Sequence, residues 1–138
     1  MHAKKTFLIV SLVIVILIGI LSRLLHTGIL VFDKYLGDAL YAIMFYLLLS
    51  IIWHSGNALW KAFIITILTI AIELFQLTLI PLQFRLSDSF VLKNIAILLG
   101  TKFSWFDIIA YLVGILVIYI VDQFYLDKFD KIDRSFNP

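Results

Sequence analysis

Apolar residues along the chain are gathered into long runs that short polar segments separate. The runs cover about residues 6–22, 38–53, 62–80 and 106–125. A helix that crosses a bilayer needs about 20 mostly apolar residues, with a range of about 17–25. The runs meet or approach that length, so the pattern predicts an all-α, polytopic membrane helical bundle with four transmembrane helices.

A shorter apolar run lies between the third and fourth long ones. Residues 87–89 read Ser-Asp-Ser, Phe90–Leu99 is apolar, and Gly100 follows, which is the order of an N-cap, a helix and a C-terminal glycine. The run is too short to span a bilayer, so we expect one short re-entrant or interfacial helix here. Pro81 lacks an N–H group and is expected to end the third spanning helix.

The composition requires a lipid environment. Hydrophobic residues make up 63% of the 138 residues and charged residues 14%, against about 45–50% and about 25% in soluble domains. A chain of this length cannot bury so much apolar surface in its own core. A soluble enzyme, a nucleic-acid binder and a disordered linker are therefore excluded as classes.

The inventory of reactive side chains narrows the chemistry further. The chain has no cysteine, which excludes disulfides, thiolate catalysis and cysteine-type zinc sites. Its histidines, His2, His26 and His54, lie far apart in sequence and match no metal-binding spacing. We therefore expect neither a metal nor a cofactor.

The expected layout is a single transmembrane domain over residues 1–126 and a polar tail over 127–138. Four crossings place both termini on one side of the membrane. Lysines and arginines divide almost evenly between the two sides, and Lys4 and Lys5 beside the first helix favour cytoplasmic termini in a bacterial inner membrane. The inverted orientation stays open as an alternative.

A polar stripe runs along the third apolar stretch. Glu73 lies eight residues before Pro81, and Gln76 lies three residues after it on the same helical face. Thr66 and Thr69 extend that face. Ionisable groups inside a membrane are costly and often functional, so Glu73 is a candidate catalytic residue. For the threonines we favour hydrogen bonds between helices.

Further polar residues stand at the ends of the apolar stretches. Arg23 ends the first, Asp38 opens the second, Arg85 follows the third, and Asp107 opens the fourth with Tyr111 one turn later. Alternating helix directions bring all of them to one membrane boundary. The pattern predicts a ligand-binding pocket formed by Arg23, Asp38, Glu73, Gln76, Arg85, Asp107 and Tyr111.

The pairing within this set stays open. Arg23 with Asp38 and Arg85 with Glu73 are plausible ion pairs, while the helix dipole alone would explain an acid at each helix N-terminus. Guanidinium groups bind phosphate in a two-pronged fork, and a buried carboxylate can act as a general acid or base. Such a pocket suits an amphiphile with its phosphate at the mouth and its chain in the lipid.

Short ordered motifs carry a family resemblance over about residues 23–118. They are Asp-Lys-Tyr-Leu-Gly-Asp-Ala-Leu at 33–40, Glu73-x-x-Gln76, Arg85, and Gly-x-x-Phe-Ser-Trp-x-Asp-x-x-Ala-Tyr-x-x-Gly at 100–114. The chain resembles a family of small uncharacterised bacterial membrane proteins known as a domain of unknown function. It is distantly similar to the VanZ-like family, although Tyr111 stands where asparagine is usual. The VanZ-like resemblance implies a cell-envelope setting.

The leading hypothesis is a bacterial inner-membrane protein with a polar pocket at the outer-leaflet boundary. Its expected partner is a membrane lipid or a lipid-linked envelope precursor, and not nucleic acid. Whether the protein is an enzyme is open. The alternatives are a small oligomeric transporter or proton-coupled subunit and a purely structural accessory membrane protein.

Overall fold

The computed structural model describes residues 2–25, 27–29 and 31–136. The α-helices in chain order are α1 (His2–Leu24), α2 (Leu36–Ile52), α3 (Ala58–Gln76), α4 (Ile80–Leu86), α5 (Phe90–Leu99), α6 (Trp105–Val121) and α7 (Asp127–Phe136). A π-helical segment, Val31–Tyr35, leads into α2, and a second one, Asp122–Leu126, joins α6 to α7. The described ranges contain no β-strand.

Four segments are long and apolar enough to cross a membrane, namely Ala3–Leu24, Phe32–Ile52, Ala58–Gln76 and Trp105–Phe129. The prediction of an all-α bundle with four spanning helices is therefore confirmed. The outward surfaces of these helices suit lipid. On α1, for example, Val10, Leu17 and Leu21 are each about half exposed, which would be unfavourable in water.

The two central helices are α2 and α6. Helix α1 packs against α2, and α3 packs mainly against α6. A Cβ atom on Gly114 of α6 would lie 2.3 Å from the carbonyl oxygen of Ala39 on α2. Only glycine permits so close a helix crossing, as in other membrane helix pairs that meet at small residues. The core around this crossing contains Ala42, Leu47, Ile65, Ile115 and Ile118.

The expectation that the third helix runs to residue 80 and ends at Pro81 is wrong. Helix α3 ends at Gln76, and the chain turns at Leu79, which has a left-handed φ of 61°. Pro81 lies in the first turn of α4. A proline is accepted there because the first turn of a helix does not use its N–H groups in helical hydrogen bonds. As a result, the chain forms α4, a short helix that the sequence did not predict.

Helix α5 begins and ends where the sequence predicts. Ser89 occupies the N-cap position in an extended conformation, although its side chain makes no capping hydrogen bond. Gly100 follows the last helical residue with a φ of 77°, a conformation that favours glycine. Helix α5 packs against α4, so a pair of short helices, rather than one, links α3 to α6.

The spanning helices alternate in direction. The rings of Phe7 in α1 and Phe129 in α7 lie 5.4 Å apart, so the beginning of α1 and α7 share one end of the bundle. Arg23, Asp38 and Gln76 lie near the other end, close to the turns that join α1 to α2 and α3 to α4. We call this the cavity end. Residues 127–136 of the predicted polar tail are helical.

Candidate functional site

Glu73 is fully buried and holds three segments of the chain together. Its Oε1 accepts hydrogen bonds from the Tyr111 hydroxyl at 2.9 Å and from Gln76 Nε2 at 3.3 Å. Its Oε2 accepts one from the backbone N–H of Ser104 at 3.3 Å. The carboxylate of α3 therefore fixes both α6 and the loop that precedes α6.

Gln76 connects this arrangement to the end of α5. Its Nε2 donates to the carbonyl oxygen of Leu99 at 2.7 Å as well as to Glu73. A Cβ atom on Gly100 would lie 3.0 Å from the same nitrogen, so the absence of a side chain lets the loop approach. Gln76 Oε1 is buried and has no hydrogen-bond partner among the described residues.

A small cavity of about 70 Å³ opens beside these side chains. It lies at the cavity end, between the ends of α1, α3 and α5 and the beginnings of α2 and α6. We call it the polar cavity. Its polar lining consists of Arg23, Asp38, Tyr41, Gln76, Lys102, Asp107 and Tyr111.

Charges of both signs surround the polar cavity. Lys34 Nζ lies 2.9 Å from Asp107 Oδ1, and the lysine side chain is 47% exposed while that of the aspartate is 10% exposed. Asp38 lies close enough to interact electrostatically with the negative charge of Asp107 and with the positive charges of Lys34 and Arg23, but it forms no ion pair with a described residue. Its Oδ2 is buried and has no hydrogen-bond partner in the described chain.

The structure brings together most of the side chains that the sequence predicts for the site. The five that line the polar cavity are Arg23, Asp38, Gln76, Asp107 and Tyr111. Glu73 lies behind Gln76 and Tyr111 and does not line it. Arg85 is exposed on α4, away from the lining, and its side chain bonds to no residue within the described ranges.

The plausible ion pairs, Arg23 with Asp38 and Arg85 with Glu73, are both absent among the described residues, where Asp107 pairs with Lys34 instead. The expectation of hydrogen bonds between helices is also wrong for the threonines. Thr66 Oγ1 donates to Ala62 O at 2.8 Å and Thr69 Oγ1 to Ile65 O at 3.0 Å. Both acceptors lie one turn earlier in the same helix, a common arrangement for these side chains.

Three residues that line the polar cavity or form an ion pair beside it were not predicted. Only one of them could have been recognised from a sequence pattern. Lys34 stands four residues before Asp38, a spacing that brings side chains to one helical face. Tyr41 looks like any aromatic residue of an apolar helix. Lys102 lies in a loop whose path depends on the contact between Gln76 and Gly100, which no local pattern encodes.

An apolar groove of about 160 Å³ adjoins the polar cavity. It runs between α1 and α2 and is lined by Val15, Ile16, Gly19, Ile20, Leu40 and Met44. Arg23, Tyr41 and Leu98 line both the groove and the polar cavity. The polar cavity and the apolar groove are therefore neighbours that share these three side chains as a common wall.

A second buried polar cluster, which we did not predict, lies at the opposite end of the bundle. Lys61 Nζ lies 3.6 Å from Asp122 Oδ2, and the side chains are 1% and 7% exposed. The Tyr46 hydroxyl donates to the same carboxylate and lies 3.4 Å from the carbonyl oxygen of Ala58. Ser50 is also fully buried. Each charged residue stands near the end of a helix, where polar residues are ordinary.

In the part of the chain that the structure describes, no group of three or more histidine or acidic side chains is arranged to hold a metal ion. The polar cavity instead offers two basic side chains at its rim, Arg23 and Lys102, and carboxylate and amide oxygens within. Such a set can bind a small group that carries both an anion and hydrogen-bond donors.

The helices and their apolar exterior define a polytopic α-helical membrane protein. Residues 28–115 match the family described as "Protein of unknown function (DUF2809)", and the chain belongs to that family. No curated protein and no solved structure matches the chain. The predicted resemblance to an uncharacterised family is confirmed; the VanZ-like link and the cell-envelope setting stay predictions.

Proposed function

We propose that the protein binds the phosphate-containing headgroup of a membrane lipid or lipid-linked envelope precursor in the polar cavity. The observation that carries the proposal is that the polar cavity and the apolar groove lie side by side and share Arg23 as a lining residue. A headgroup would occupy the cavity while part of an acyl chain would follow the groove between α1 and α2. Few ligands other than an amphiphile need both compartments.

Arg23 is the residue proposed to meet the phosphate. Its side chain is exposed and forms no ion pair with a described residue, so its guanidinium donors are available. Lys102 is exposed as well and lines the same cavity. Arginine matches the oxygens of a phosphate with paired donors, and lysine adds a second positive charge.

The remaining side chains serve to orient this site. Glu73 is a positioning residue in the proposal, because its oxygens already accept hydrogen bonds from Tyr111, Gln76 and the Ser104 N–H. Lys34 fixes Asp107 at the rim. We propose that the cavity end faces the outer leaflet of a bacterial inner membrane and that both termini are cytoplasmic.

Lipids that copurify with the protein test the proposal directly. We would purify the wild type, Arg23→Ala and Arg85→Ala in mild detergent and identify bound lipids by native mass spectrometry. Arg85→Ala is the matched control because Arg85 is exposed and does not line the cavity.

We expect a phosphate-containing lipid on the wild type and on Arg85→Ala, and at least a tenfold weaker signal on Arg23→Ala. A hydrogen bond to a charged group contributes about 1.5–3 kcal/mol, and about 1.4 kcal/mol corresponds to tenfold in affinity. Equal lipid signals on all three proteins would contradict the proposal and favour a purely structural role for the cavity residues.

A further inference from the structure

Three buried oxygen atoms on side chains that line the polar cavity have no hydrogen-bond partner among the described residues, namely Asp38 Oδ2, Gln76 Oε1 and Asp107 Oδ1. Asp107 Oδ1 lies 2.9 Å from Lys34 Nζ in an ion pair, which leaves Asp38 Oδ2 and Gln76 Oε1. Gln76 is only 4% exposed, so bulk water does not reach most of its surface. Both atoms are acceptors. A buried acceptor without a donor is unfavourable, and a ligand that supplies donors at this point would remove the deficit.

The orientation of the Gln76 amide is fixed by its neighbours. Nε2 donates to Leu99 O at 2.7 Å and lies 3.3 Å from Glu73 Oε1. A flipped amide would place its oxygen against these two acceptors, which is unfavourable. Oε1 is therefore the acceptor of the amide on a side chain that lines the cavity, and its missing partner is a donor.

Charge distinguishes among the possible donors. Lys34 pairs with Asp107 at 2.9 Å, whereas Asp38 lacks an ion pair within the described ranges and its carboxylate is left for a ligand. An ammonium group has three N–H donors and a positive charge, which suits a carboxylate and an amide oxygen together. The space of about 70 Å³ exceeds several-fold the roughly 10–15 Å³ that one water requires, so a small group of this kind fits.

We infer that the polar cavity recognises the primary ammonium of a phosphoethanolamine headgroup, with Asp38 Oδ2 and Gln76 Oε1 as acceptors and Arg23 at the phosphate. The inference rests on the proposed function and names the lipid class, an aminophospholipid. Arg23 and Asp38 line the same small cavity, as they must if one short headgroup is to reach both.

Phosphatidylcholine is a matched probe, because it has the same charges as phosphatidylethanolamine but no N–H donor on its nitrogen. Detergent-purified wild type would be titrated with the two lipids, with phosphatidylglycerol and with phosphatidic acid, all with identical acyl chains, and binding followed by native mass spectrometry. We expect phosphatidylethanolamine to bind at least tenfold more tightly than phosphatidylcholine.

Variants then test whether Asp38 causes the preference for phosphatidylethanolamine over phosphatidylcholine. Asp38→Asn should reduce phosphatidylethanolamine binding to the level of phosphatidylcholine and leave phosphatidic acid binding unchanged. Asp88→Asn, at an exposed aspartate between α4 and α5, should behave like the wild type. The comparison of lipids on the wild type stands even if Asp38→Asn does not fold.

The possible failures are distinguishable. Equal binding of phosphatidylethanolamine and phosphatidylcholine, with both reduced by Arg23→Ala, would overturn the ammonium inference and leave headgroup binding intact. Phosphatidylglycerol binding as tightly as phosphatidylethanolamine would show hydroxyl donors to suffice and would also overturn the inference. Lipid binding that is insensitive to Arg23→Ala would contradict the proposed function itself.

Discussion

The hydroxyl of Tyr111 donates a hydrogen bond to Glu73 Oε1 at 2.9 Å and so joins α6 to α3 inside the bundle. Tyr111 is 5% exposed and Glu73 is fully buried. The same carboxylate accepts from Gln76 and from the Ser104 N–H. Glu73 therefore holds in place the side chains and the loop that form one side of the polar cavity. Removing one of its hydrogen-bond donors tests that role directly.

Tyr111→Phe is expected to lower the free energy of unfolding by about 1–3 kcal/mol, because it leaves a buried carboxylate without one of its donors. Thermal or denaturant unfolding in detergent micelles would measure the change. Tyr125→Phe is the control, since Tyr125 is 60% exposed, and it should be neutral. An unchanged stability for Tyr111→Phe would show that this hydrogen bond does not hold α3 to α6.

Gly114→Ala is expected to destabilise the bundle, since the new Cβ would lie 2.3 Å from Ala39 O and force α2 and α6 apart. Overpacking of this kind costs about 1–3 kcal/mol. Gly19→Ala in α1 is the control, because a Cβ there meets nothing within 4 Å, and it should be neutral or stabilising. Similar unfolding curves for the two variants would contradict the close crossing.

The spanning helices could be predicted from the sequence because the length of an apolar run is a direct requirement of the bilayer. Most of the polar cavity followed from the same reasoning. Residues at the ends of antiparallel helices converge wherever directions alternate, so the sequence predicts that Arg23, Asp38 and Asp107 lie together, and all three line the polar cavity.

What could not be predicted depends on the path of the chain between helices. The turn at Leu79 starts a new helix at Ile80, and Arg85 is carried on that helix away from the cavity. Opposite charge alone also could not predict which acid pairs with which base, because several acids and bases lie at the same end of the bundle. The observed pair is Lys34 with Asp107, whereas the sequence suggested Arg23 with Asp38 and Arg85 with Glu73.

The buried pair of Lys61 and Asp122 is expected to matter for stability rather than for ligand binding. Lys61→Met leaves Asp122 buried without its lysine, and breaking a buried pair from one side costs about 3–5 kcal/mol. The double variant Lys61→Met/Asp122→Leu should recover part of the loss. Unfolding in detergent would measure all three proteins.

Lys5→Met is the control for that series, because Lys5 is exposed near the beginning of α1 and its loss should change stability by less than about 1 kcal/mol. Additive effects of the two single changes in the double variant would show that Lys61 and Asp122 do not interact energetically. Unchanged lipid binding in Lys61→Met is also expected, since neither residue lines the polar cavity.

The proposed orientation predicts opposite labelling of two loops in intact bacterial cells. The chain has no cysteine, so single cysteines at Thr101, which follows α5 at the cavity end, and at exposed Ser55, between α2 and α3, can be read individually. A membrane-impermeant thiol reagent should label Thr101→Cys and not Ser55→Cys, and both should react once the cells are permeabilised. The reverse pattern would place the cavity on the cytoplasmic side and contradict the outer-leaflet assignment. It would not contradict the binding of a lipid headgroup, which the lipid-binding experiments test separately.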